Sequence, residues 1–394
     1  MMESFELKSG PSPSEIKVAV GTRVKKLFHE ALALRVFSGA SILVAGVGGV
    51  CFESCYGRIS FASEAPRVTA ETWFDLASLT KPLVTASLSM AAVSRGWLDL
   101  DAPLNDLLRN HSVPLDKAPI TLRQLLNHCS GLPAYRPYYR RLMEATPAVR
   151  RETLVSWVLQ EPMLGSPESV AAYSDLGFML IAEILEQCLA MPLDVAAVKL
   201  LFEPLGIRDL RFQTTAPLGT SADEGGDEAA MVVTRFVRTE LCLWRRRQLA
   251  GEVHDENAYA LGGVAGHAGL FGNTRGVYRW LNFLWDVHEE RTSSPWFSPE
   301  VVQDFWRRQE LVAGSTWALG FDTPSSEDSS AGARFSPHSV GHLGFTGTSF
   351  WLDLDHEIMI ILLTNRVHAN RDKAAIKAFR PQIHNAIMET LYAG

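Results

Sequence analysis

Four residues, Ser78-Leu-Thr-Lys81, combine a hydroxyl and an amine three positions apart. On a helix this spacing places both side chains on one face, within mutual reach. A serine becomes a nucleophile when an adjacent base takes its proton, and a lysine can be that base if burial lowers its pKa. Ser14-Glu-Ile-Lys17 has the same spacing, but it opens a polar-faced helix where Ser14 is better explained as a cap. The motif alone therefore leaves a catalytic and a structural role for Ser78 open.

A second group, Tyr173-Ser174-Asp175, directly precedes an apolar segment at 176–189 that is typical of a helix. A phenol can relay a proton when nearby cations lower its pKa. A structural explanation also exists, in which Tyr173 is a half-buried aromatic and Ser174 or Asp175 caps the helix. Taken by itself, the segment favours that structural explanation.

A third group is the glycine-rich segment Gly341-His-Leu-Gly-Phe-Thr-Gly-Thr-Ser349, which leads into a predicted strand. Glycines at the start of a strand allow the backbone to approach a ligand closely. A glycine-rich turn before an edge strand explains the same residues. That second explanation is the better one while the segment is considered alone.

The other histidines fall into a pair four positions apart and a cluster with carboxylates, namely His338 and His342, and His254, Asp255, Glu256 and His267. A metal site needs histidines that converge with carboxylates or thiols. The pair lies in a Gly- and Pro-rich loop rather than on a helix, so no metal site and no cofactor are predicted. Asp255, Glu256 and His267 are instead predicted to form hydrogen-bonded scaffold near the site.

The ends of the chain carry the clearest patterns of helix and strand. Apolar residues three and four apart predict a helix over 15–35, and two β-prone runs around Gly48-Gly49 predict a hairpin. A second hairpin over 349–364 and a helix over 372–391 close the chain. The residues between these ends are mostly helical in pattern, apart from a predicted surface loop at 213–230.

This order of elements predicts an α/β fold, of the α+β type: one antiparallel sheet built from both chain ends, flanked by terminal helices. An all-helical domain would be inserted between the two halves of the sheet. The expected division is a discontinuous sheet domain of residues 1–72 and 285–394, and a helical domain of residues 73–284 that carries Ser78.

Composition excludes several classes of protein. The chain has 394 residues, of which 47% are hydrophobic, and its formal net charge is -7. These values argue against a disordered chain, a nucleic-acid binder and a protein of anionic membranes. The run Arg245-Arg246-Arg247 is therefore predicted to be a solvated face. Met1–Pro13 lacks an apolar core and the five cysteines are scattered, which predicts a cytoplasmic protein; the oligomeric state stays open.

Together and in this order, the three groups resemble the serine β-lactamase and penicillin-binding-protein superfamily. Its signature is S-x-x-K, then Y-x-N or S-D-N, then K-T-G. The closer likeness is to the class C, esterase- and carboxypeptidase-like branch. Further segments that carry this likeness are Phe74–Pro82, Leu125–Pro133, His254–Ala258 and Leu261–Leu270. The resemblance covers roughly residues 15–390 and implies a β-lactamase/DD-peptidase-like fold.

The resemblance also implies roles for individual residues. Ser78 would be the acyl-accepting nucleophile, Lys81 its base, and Tyr173 the group that protonates the leaving group and later helps to activate water. His342 stands where the family has a lysine or histidine, and would bias the Tyr173 proton or hold a substrate anion. The residues expected to bind substrate or form the oxyanion hole are Asp175, Gly344 and Phe345, together with the backbone N–H of Ser78.

Two departures from the family pattern bear on the substrate. Asp175 replaces the commoner asparagine; an ionised carboxylate cannot donate to a substrate carbonyl, and it would favour the charged form of Lys81. Leu343 replaces a threonine whose hydroxyl helps such enzymes to bind the substrate carboxylate. The predicted function is therefore a serine hydrolase acting on a small-molecule ester or amide. The alternatives are a D-alanyl-D-alanine carboxypeptidase or class C-like β-lactamase, and a catalytically silent ligand-binding protein.

Overall fold

The computed structural model describes residues 13–214 and 235–392, with side chains from residue 20 onward. Most of Met1–Pro13 and most of the predicted loop at 213–230 lie outside the described residues. The α-helices are α1 Pro13–Ala33, α2 Ser87–Ser94, α3 Leu104–Leu107, α4 Leu122–Leu126, α5 Tyr139–Leu142, α6 Arg150–Gln160, α7 Asp175–Leu189, α8 Leu193–Ala196, α9 Glu256–Ala260, α10 Thr274–His288, α11 Pro299–Trp306 and α12 Ala374–Tyr392.

Shorter 3₁₀ and π-helical turns extend several of these helices. The 3₁₀ turns are Ala77–Leu79, Pro147–Val149, Glu203–Leu205 and Arg366–His368, and the π-helical turns are Lys81–Ala86 and Ala197–Phe202. The strands are β1 Gly39–Gly46, β2 Gly49–Gly57, β3 Phe74–Asp75, β4 Leu210–Phe212, β5 Arg238–Cys242, β6 Arg247–Ala250, β7 Leu270–Gly272, β8 Val340–Leu343, β9 Ser349–Asp353 and β10 Ile358–Thr364.

Both chain ends contribute to one five-stranded antiparallel sheet, in the order β2-β1-β10-β9-β8. The contact between the two ends is the pairing of β1 with β10, which runs from Ala40 opposite Thr364 to Gly46 opposite Ile358. The two predicted hairpins are present as β1–β2 and β9–β10. The α+β fold class with a sheet made from both ends is therefore confirmed.

The central strands are buried on both faces, which is why their sequences are apolar almost throughout. Successive side chains of a strand point to opposite faces. Ile42 and Ile360 accordingly pack with α1 and α12 on one side of the sheet, in a core that also holds Phe28. Leu43 and Ile361 pack on the other side, in the larger core formed with the helical part of the chain.

The middle of the chain is mainly helical, but the prediction of an all-helical insert is wrong in one respect. It also contains a three-stranded sheet, β3-β7-β4, and the two-stranded hairpin β5–β6. These strands are only two to five residues long, too short for an alternating pattern to be recognised. The small sheet matters for function because β3 leads directly into the helical run that carries Ser78.

Among the described residues no single helix is long and apolar enough to cross a membrane. Only α7 together with the helical segment Leu193–Leu205 meets the criteria of length and composition, as a pair bent by 69°. The apolar side chains of α7 are buried in the larger core.

Candidate active site

A strained turn presents Ser78 at the start of its helical run. Ala77 has φ +49°, a left-handed conformation that is uncommon for a residue with a side chain. Asp75 holds this turn, because its Oδ1 accepts the Ala77 N–H at 2.8 Å and its Oδ2 accepts the His254 N–H at 2.6 Å. Burial raises the pKa of the Asp75 carboxyl. The strain is thus maintained by the surrounding contacts, as is common at functional sites.

Ser78, Lys81 and Asp175 form a connected group at this turn. The Lys81 Nζ donates to Ser78 Oγ at 3.2 Å, to Asp175 Oδ1 at 2.7 Å and to the His267 carbonyl at 3.2 Å. Lys81 is fully buried, and burial alone would lower its pKa, but the Asp175 carboxylate outweighs burial and raises the pKa of Lys81 above 10.5. The ion pair expected from the Asp175 departure is present, and Lys81 is an ammonium at neutral pH.

The start of α7 positions Asp175 and, two residues before it, Tyr173. Ser174 is the helix cap, as the structural alternative predicts: its Oγ accepts the Gly177 N–H at 3.2 Å and donates to the Pro133 carbonyl at 2.7 Å. Asp175, the first residue of the helix, does not cap it and instead reaches Lys81.

Tyr173 stands beside the lysine in a cluster of rings. Its ring centroid lies 4.7 Å from the Lys81 Nζ, 4.7 Å from the His128 ring, 5.3 Å from the Trp317 ring and 6.0 Å from the His342 ring. Its hydroxyl is buried and faces Lys81 and Ser78, whose hydrogen bonds act to lower the pKa of Tyr173. Burial raises the pKa of Tyr173 above 10, although the nearby Lys81 charge acts in the opposite direction. The resting tyrosine is therefore a neutral phenol.

His342 is a neutral imidazole, which differs from the charged group expected at this position. Its side chain is buried, and burial together with the charge of Lys81 lowers the pKa of His342 to about 3. Its Nδ1 lies 2.9 Å from the Leu343 carbonyl oxygen. A ring that stays uncharged near pH 7 cannot hold a substrate anion by charge; what it offers is a hydrogen bond.

The turn between β8 and β9 brings the third motif against the residues that precede Ser78. Thr346 Oγ1 donates to the Asp75 carbonyl at 2.7 Å, and Thr348 Oγ1 donates to the Leu76 carbonyl at 3.1 Å. Gly344 lies in this contact, where a Cβ would be only 1.9 Å from Thr348 Oγ1. The close approach requires a glycine and places Phe345 next to the Ser78 turn.

A cavity of about 1650 Å³ opens at this junction. Its wall includes six of the seven residues that the sequence predicts for the site, namely Ser78, Tyr173, Asp175, His342, Gly344 and Phe345. The seventh, Lys81, reaches Ser78 from the buried side. The structure thus brings together every predicted site residue, from three separate parts of the chain.

The cavity wall also carries five cationic residues that follow β10 in the chain, namely Arg366, Arg371, Lys373, Lys377 and Arg380. The Arg366 guanidinium lies 4.3 Å and the Lys373 Nζ 4.8 Å from the Phe345 ring centroid. Arg380 is buried and donates to the carbonyls of Gly344, at 3.0 Å, and Thr348, at 2.8 Å. Burial and the charge of Arg366 lower the pKa of Arg380 to about 9.

Three further residues at the site were missed. Trp317 stacks on Tyr173, and the His128 ring lies beside the Tyr173 ring. Asp322 lines the cavity, and burial raises its pKa to about 6. His128 lies within the family-like segment Leu125–Pro133, so the resemblance was a signal for it. Trp317 and Asp322 bound a segment whose pattern predicts a strand, but the structure has only an isolated bridge between these two residues, and the pattern held no sign of a site.

The acidic cluster is hydrogen-bonded near the site, as predicted from the sequence, and Asp255, Glu256 and His267 also line the cavity. Asp255 caps α9 by accepting the Ala258 N–H at 2.7 Å, and it pairs with His267 Nε2 at 3.0 Å. The His267 carbonyl in turn accepts from Lys81. Glu256 is paired with Arg371 at 2.6 Å. Among residues 13–214 and 235–392, no group of three His, Cys, Asp or Glu could hold a metal ion.

The prediction of a solvated face for Arg245-Arg246-Arg247 is wrong for its first residue. The Arg245 side chain is buried, pairs with Glu252 at 2.9 Å and donates to the Val253 and His254 carbonyls at 2.6 and 3.1 Å. A hairpin turn folds it back onto the segment that supports Asp75, a long-range contact that charge patterning cannot reveal. Arg246 is exposed.

Comparisons with known proteins agree with this geometry. The model of the family described as Beta-lactamase matches residues 24–384. A curated relative from Salmonella gallinarum, named "Putative D-alanyl-D-alanine carboxypeptidase", is 28% identical over 322 residues, which cover 77% of this chain and 71% of the relative.

Solved structures with the same fold are more distant in sequence. EstCE1, described as a hydrolase with promiscuous acyltransferase activity, has a TM-score of 0.68 at 20% identity and covers 93% of this chain and 99% of its own. The penicillin-binding protein homologue from Pyrococcus abyssi has a TM-score of 0.66 at 19% identity, with 91% and 76% covered. Simvastatin synthase (LovD) from Aspergillus terreus has a TM-score of 0.67 at 17% identity, with 95% and 99% covered. The family match over most of the chain, joined to this fold, shows that the chain belongs to the Beta-lactamase family of serine hydrolases.

Proposed function

We propose that the chain hydrolyses a small ester or amide through an acyl-enzyme on Ser78. The observation that carries this proposal is the contact of Ser78 Oγ with the buried Lys81 Nζ at 3.2 Å, at the wall of a large cavity and next to Tyr173. A nucleophile in contact with a lysine, with a phenol beside both, is the arrangement that acyl transfer needs. A catalytically silent protein would not require all three groups to meet.

In the first step Ser78 Oγ attacks the substrate carbonyl and its proton passes to the Lys81–Tyr173 pair. The same pair then protonates the leaving group, and the acyl group remains on Ser78 as an ester. A water molecule attacks this ester and gives its proton to the pair. The pair passes that proton to Ser78 Oγ as the bond between the acyl carbon and Oγ breaks, which releases the acid and restores the Ser78 hydroxyl. The backbone N–H groups of Ser78 and Phe345 stabilise the oxyanion of each tetrahedral intermediate.

In the resting site the Lys81–Tyr173 pair holds one proton too many for these reaction steps. Lys81 is an ammonium and Tyr173 a phenol, so the pair must lose one proton before it can accept that of Ser78. The reactive form therefore increases as the pH rises. An activated ester, whose leaving group needs little help from an acid, suits such a site better than a peptide does.

The test compares Ser78→Ala with Ser14→Ala, which changes the serine of the other S-x-x-K sequence. Hydrolysis of p-nitrophenyl esters and covalent labelling by a fluorophosphonate should be lost in Ser78→Ala and kept in Ser14→Ala. Activity or labelling at the wild-type level in Ser78→Ala would show that another residue is the nucleophile.

A second candidate, a D-alanyl-D-alanine carboxypeptidase, is favoured by the cations around Phe345 and by the name of the Salmonella relative. A positively charged wall near the third motif suits a substrate carboxylate. Mass spectrometry after incubation with a penicillin separates the candidates: an adduct on Ser78 supports the carboxypeptidase or a β-lactamase, and no adduct supports the esterase. Binding without turnover on ester, amide and lactam panels would support the silent protein.

A further inference from the structure

Two buried imidazoles flank Tyr173, and each is restricted to one tautomer. The Ser174 N–H donates to His128 Nδ1 at 3.0 Å, so that nitrogen is an acceptor and the proton of the neutral ring sits on Nε2. His342 is the reverse: its Nδ1 faces the Leu343 carbonyl oxygen at 2.9 Å, which can only accept, so Nδ1 carries the proton and Nε2 is bare. His128 thus presents a donor and His342 an acceptor.

Both rings stay neutral in the pH range where an esterase works. His128 and His342 are 1% and 2% exposed. Burial, the charge of Lys81 and the neighbouring His342 lower the pKa of His128 well below 6.5; burial, Lys81 and Arg380 lower that of His342 to about 3. The tautomers therefore hold near pH 7. Both Nε2 atoms are buried without a hydrogen-bond partner among the described residues, and the buried Tyr173 hydroxyl faces Lys81 and Ser78.

His128 is also fixed relative to Tyr173 from both sides. Its carbonyl accepts the Ala172 N–H at 2.9 Å, and its ring accepts the Ser174 N–H, so the two residues that flank Tyr173 are both bonded to it. His128 has φ +59°, a left-handed conformation that favours glycine or asparagine.

The charged and titratable groups that face Tyr173 are Ser78, Lys81 and Asp175, with the two imidazoles beside its ring. Asp175 and His342 Nε2 can only accept, and Ser78 gives up its proton in the reaction. Among the charged and titratable groups of the described residues, Lys81 and His128 are therefore the ones that can donate to the phenol oxygen when it carries negative charge.

We propose that His128 is a positioning residue that donates a hydrogen bond from Nε2 to the Tyr173 oxygen while that oxygen is a phenolate, before it accepts the Ser78 proton. This rests on the proposed function, because the phenolate is needed only if the Lys81–Tyr173 pair acts as the base. The ring centroids are 4.7 Å apart and the ring planes are tilted by 46°, which makes the two side chains neighbours. The proposed bond forms in the reacting complex, where catalytic hydrogen bonds tighten.

The test uses two variants of His128, each of which keeps one of the two hydrogen-bonding functions of the imidazole. His128→Asn suits the left-handed backbone and keeps an acceptor for the Ser174 N–H, but it lacks the distal donor. His128→Gln can place an amide N–H near the position of Nε2 but fits the backbone less well. Tyr173 is titrated in each by NMR of ¹³Cζ-labelled tyrosine, with Tyr173→Phe to assign its signal, so no substrate is needed.

The expected result is a pKa of Tyr173 that is higher by about one unit or more in His128→Asn and nearly unchanged in His128→Gln, since a hydrogen bond to a charged group is worth roughly a tenfold change. The rising limb of the kcat/KM profile should move in the same order. The opposite ranking, with His128→Asn the milder variant, would mean a purely structural role and would overturn the proposal.

A separate measurement keeps the result decisive if a variant fails to fold. Nitrogen-15 NMR of the wild-type histidines reports the tautomer of His128 directly, and a proton on Nδ1 instead of Nε2 would overturn the proposal. If Ser78→Ala stays active while His128 shows the Nε2 tautomer and the tyrosine shift, the proposed function fails but the hydrogen bond stands.

Discussion

Lys81 is held as one partner of a buried ion pair, and this single contact governs the chemistry of the site. The Asp175 carboxylate at 2.7 Å raises the pKa of Lys81 where burial alone would lower it. The sequence made the direction of this effect predictable, since the family's commoner asparagine carries no charge. It could not reveal that His342 is buried and neutral, because burial depends on residues far apart in the chain.

Asp175→Asn should move the rising limb of the kcat/KM profile to lower pH by at least about one unit. Without the carboxylate, burial dominates and lowers the pKa of Lys81, so the neutral amine forms at lower pH. Ester hydrolysis is measured from pH 6 to 10, with Asp194→Asn as control because Asp194 lies in the first turn of another helix, α8. An unchanged limb would show that Lys81 does not set the pH dependence.

The same variant should be less stable at neutral pH, by roughly 3 kcal/mol, because Lys81 loses its buried partner. A pKa raised in the folded state adds stability below the unfolded value of 10.5, and this stability is lost as the pH rises through the folded pKa. The difference in the free energy of unfolding between wild type and variant should therefore shrink at alkaline pH. Urea unfolding at pH 7 and pH 11 measures it.

At the scale of elements, the decisive contact is the one between the β8–β9 turn and the start of the Ser78 run. The glycine-rich sequence of the turn was evident, and so was the apolar run after Ser78. Their contact, through Thr346 and Thr348, joins residues some 270 positions apart. No local pattern predicts which backbone atoms a turn will approach.

Gly344→Ala tests this contact. The new Cβ would lie 1.9 Å from Thr348 Oγ1 and 2.7 Å from the Leu76 carbonyl oxygen, so the turn must move away from Ser78. We expect a loss of stability of about 1–3 kcal/mol and, because the Phe345 N–H is displaced, a fall in kcat of roughly 10²-fold or more.

The matched control is Gly48→Ala, in the turn between β1 and β2, where an added Cβ meets nothing within 4 Å. Thermal unfolding and ester hydrolysis should be close to wild type in this variant. A Gly344→Ala protein with wild-type kcat would show that Phe345 takes no part in the oxyanion hole.

At the scale of the whole molecule, one buried asparagine ties the two chain ends to the inserted part. Asn365, directly after β10, accepts the N–H groups of Ser38 and Gly39 at 3.1 and 3.0 Å. Its Nδ2 donates to Ser38 Oγ at 2.9 Å and to the Arg238 carbonyl at 2.8 Å. The hydrogen bonds of the Asn365 side-chain amide thus join three segments that are distant in the chain, those around Ser38, Arg238 and Asn365 itself.

Asn365→Leu should cost at least about 2 kcal/mol in the free energy of unfolding, because several buried backbone groups lose their partner. Asn365 does not line the cavity, so kcat/KM per folded molecule should stay within a few-fold of wild type. Urea unfolding measures the first quantity and active-site titration the second. The exposed Asn105 gives the control, Asn105→Leu, with an expected change below about 0.5 kcal/mol. Equal stability of the two variants would contradict the role of Asn365.

The sequence by itself determined the fold class and the types of the reacting groups. A hairpin and a helix at each end predict a shared sheet, and a serine and a lysine three apart on a helix must lie on one face whatever surrounds them. The likeness to a known family added Tyr173, His342 and Phe345 to that pair. Local spacing was sufficient for these conclusions because it fixes which side chains are neighbours within one element.

Only the tertiary structure decided the protonation states and tautomers of the histidines at the site and the burial of the residues that support it. The neutral ring of His342, the two fixed tautomers beside Tyr173 and the burial of Arg245 all depend on contacts between distant segments. The pKa of a group follows from its burial and the charges around it, and a linear pattern specifies neither.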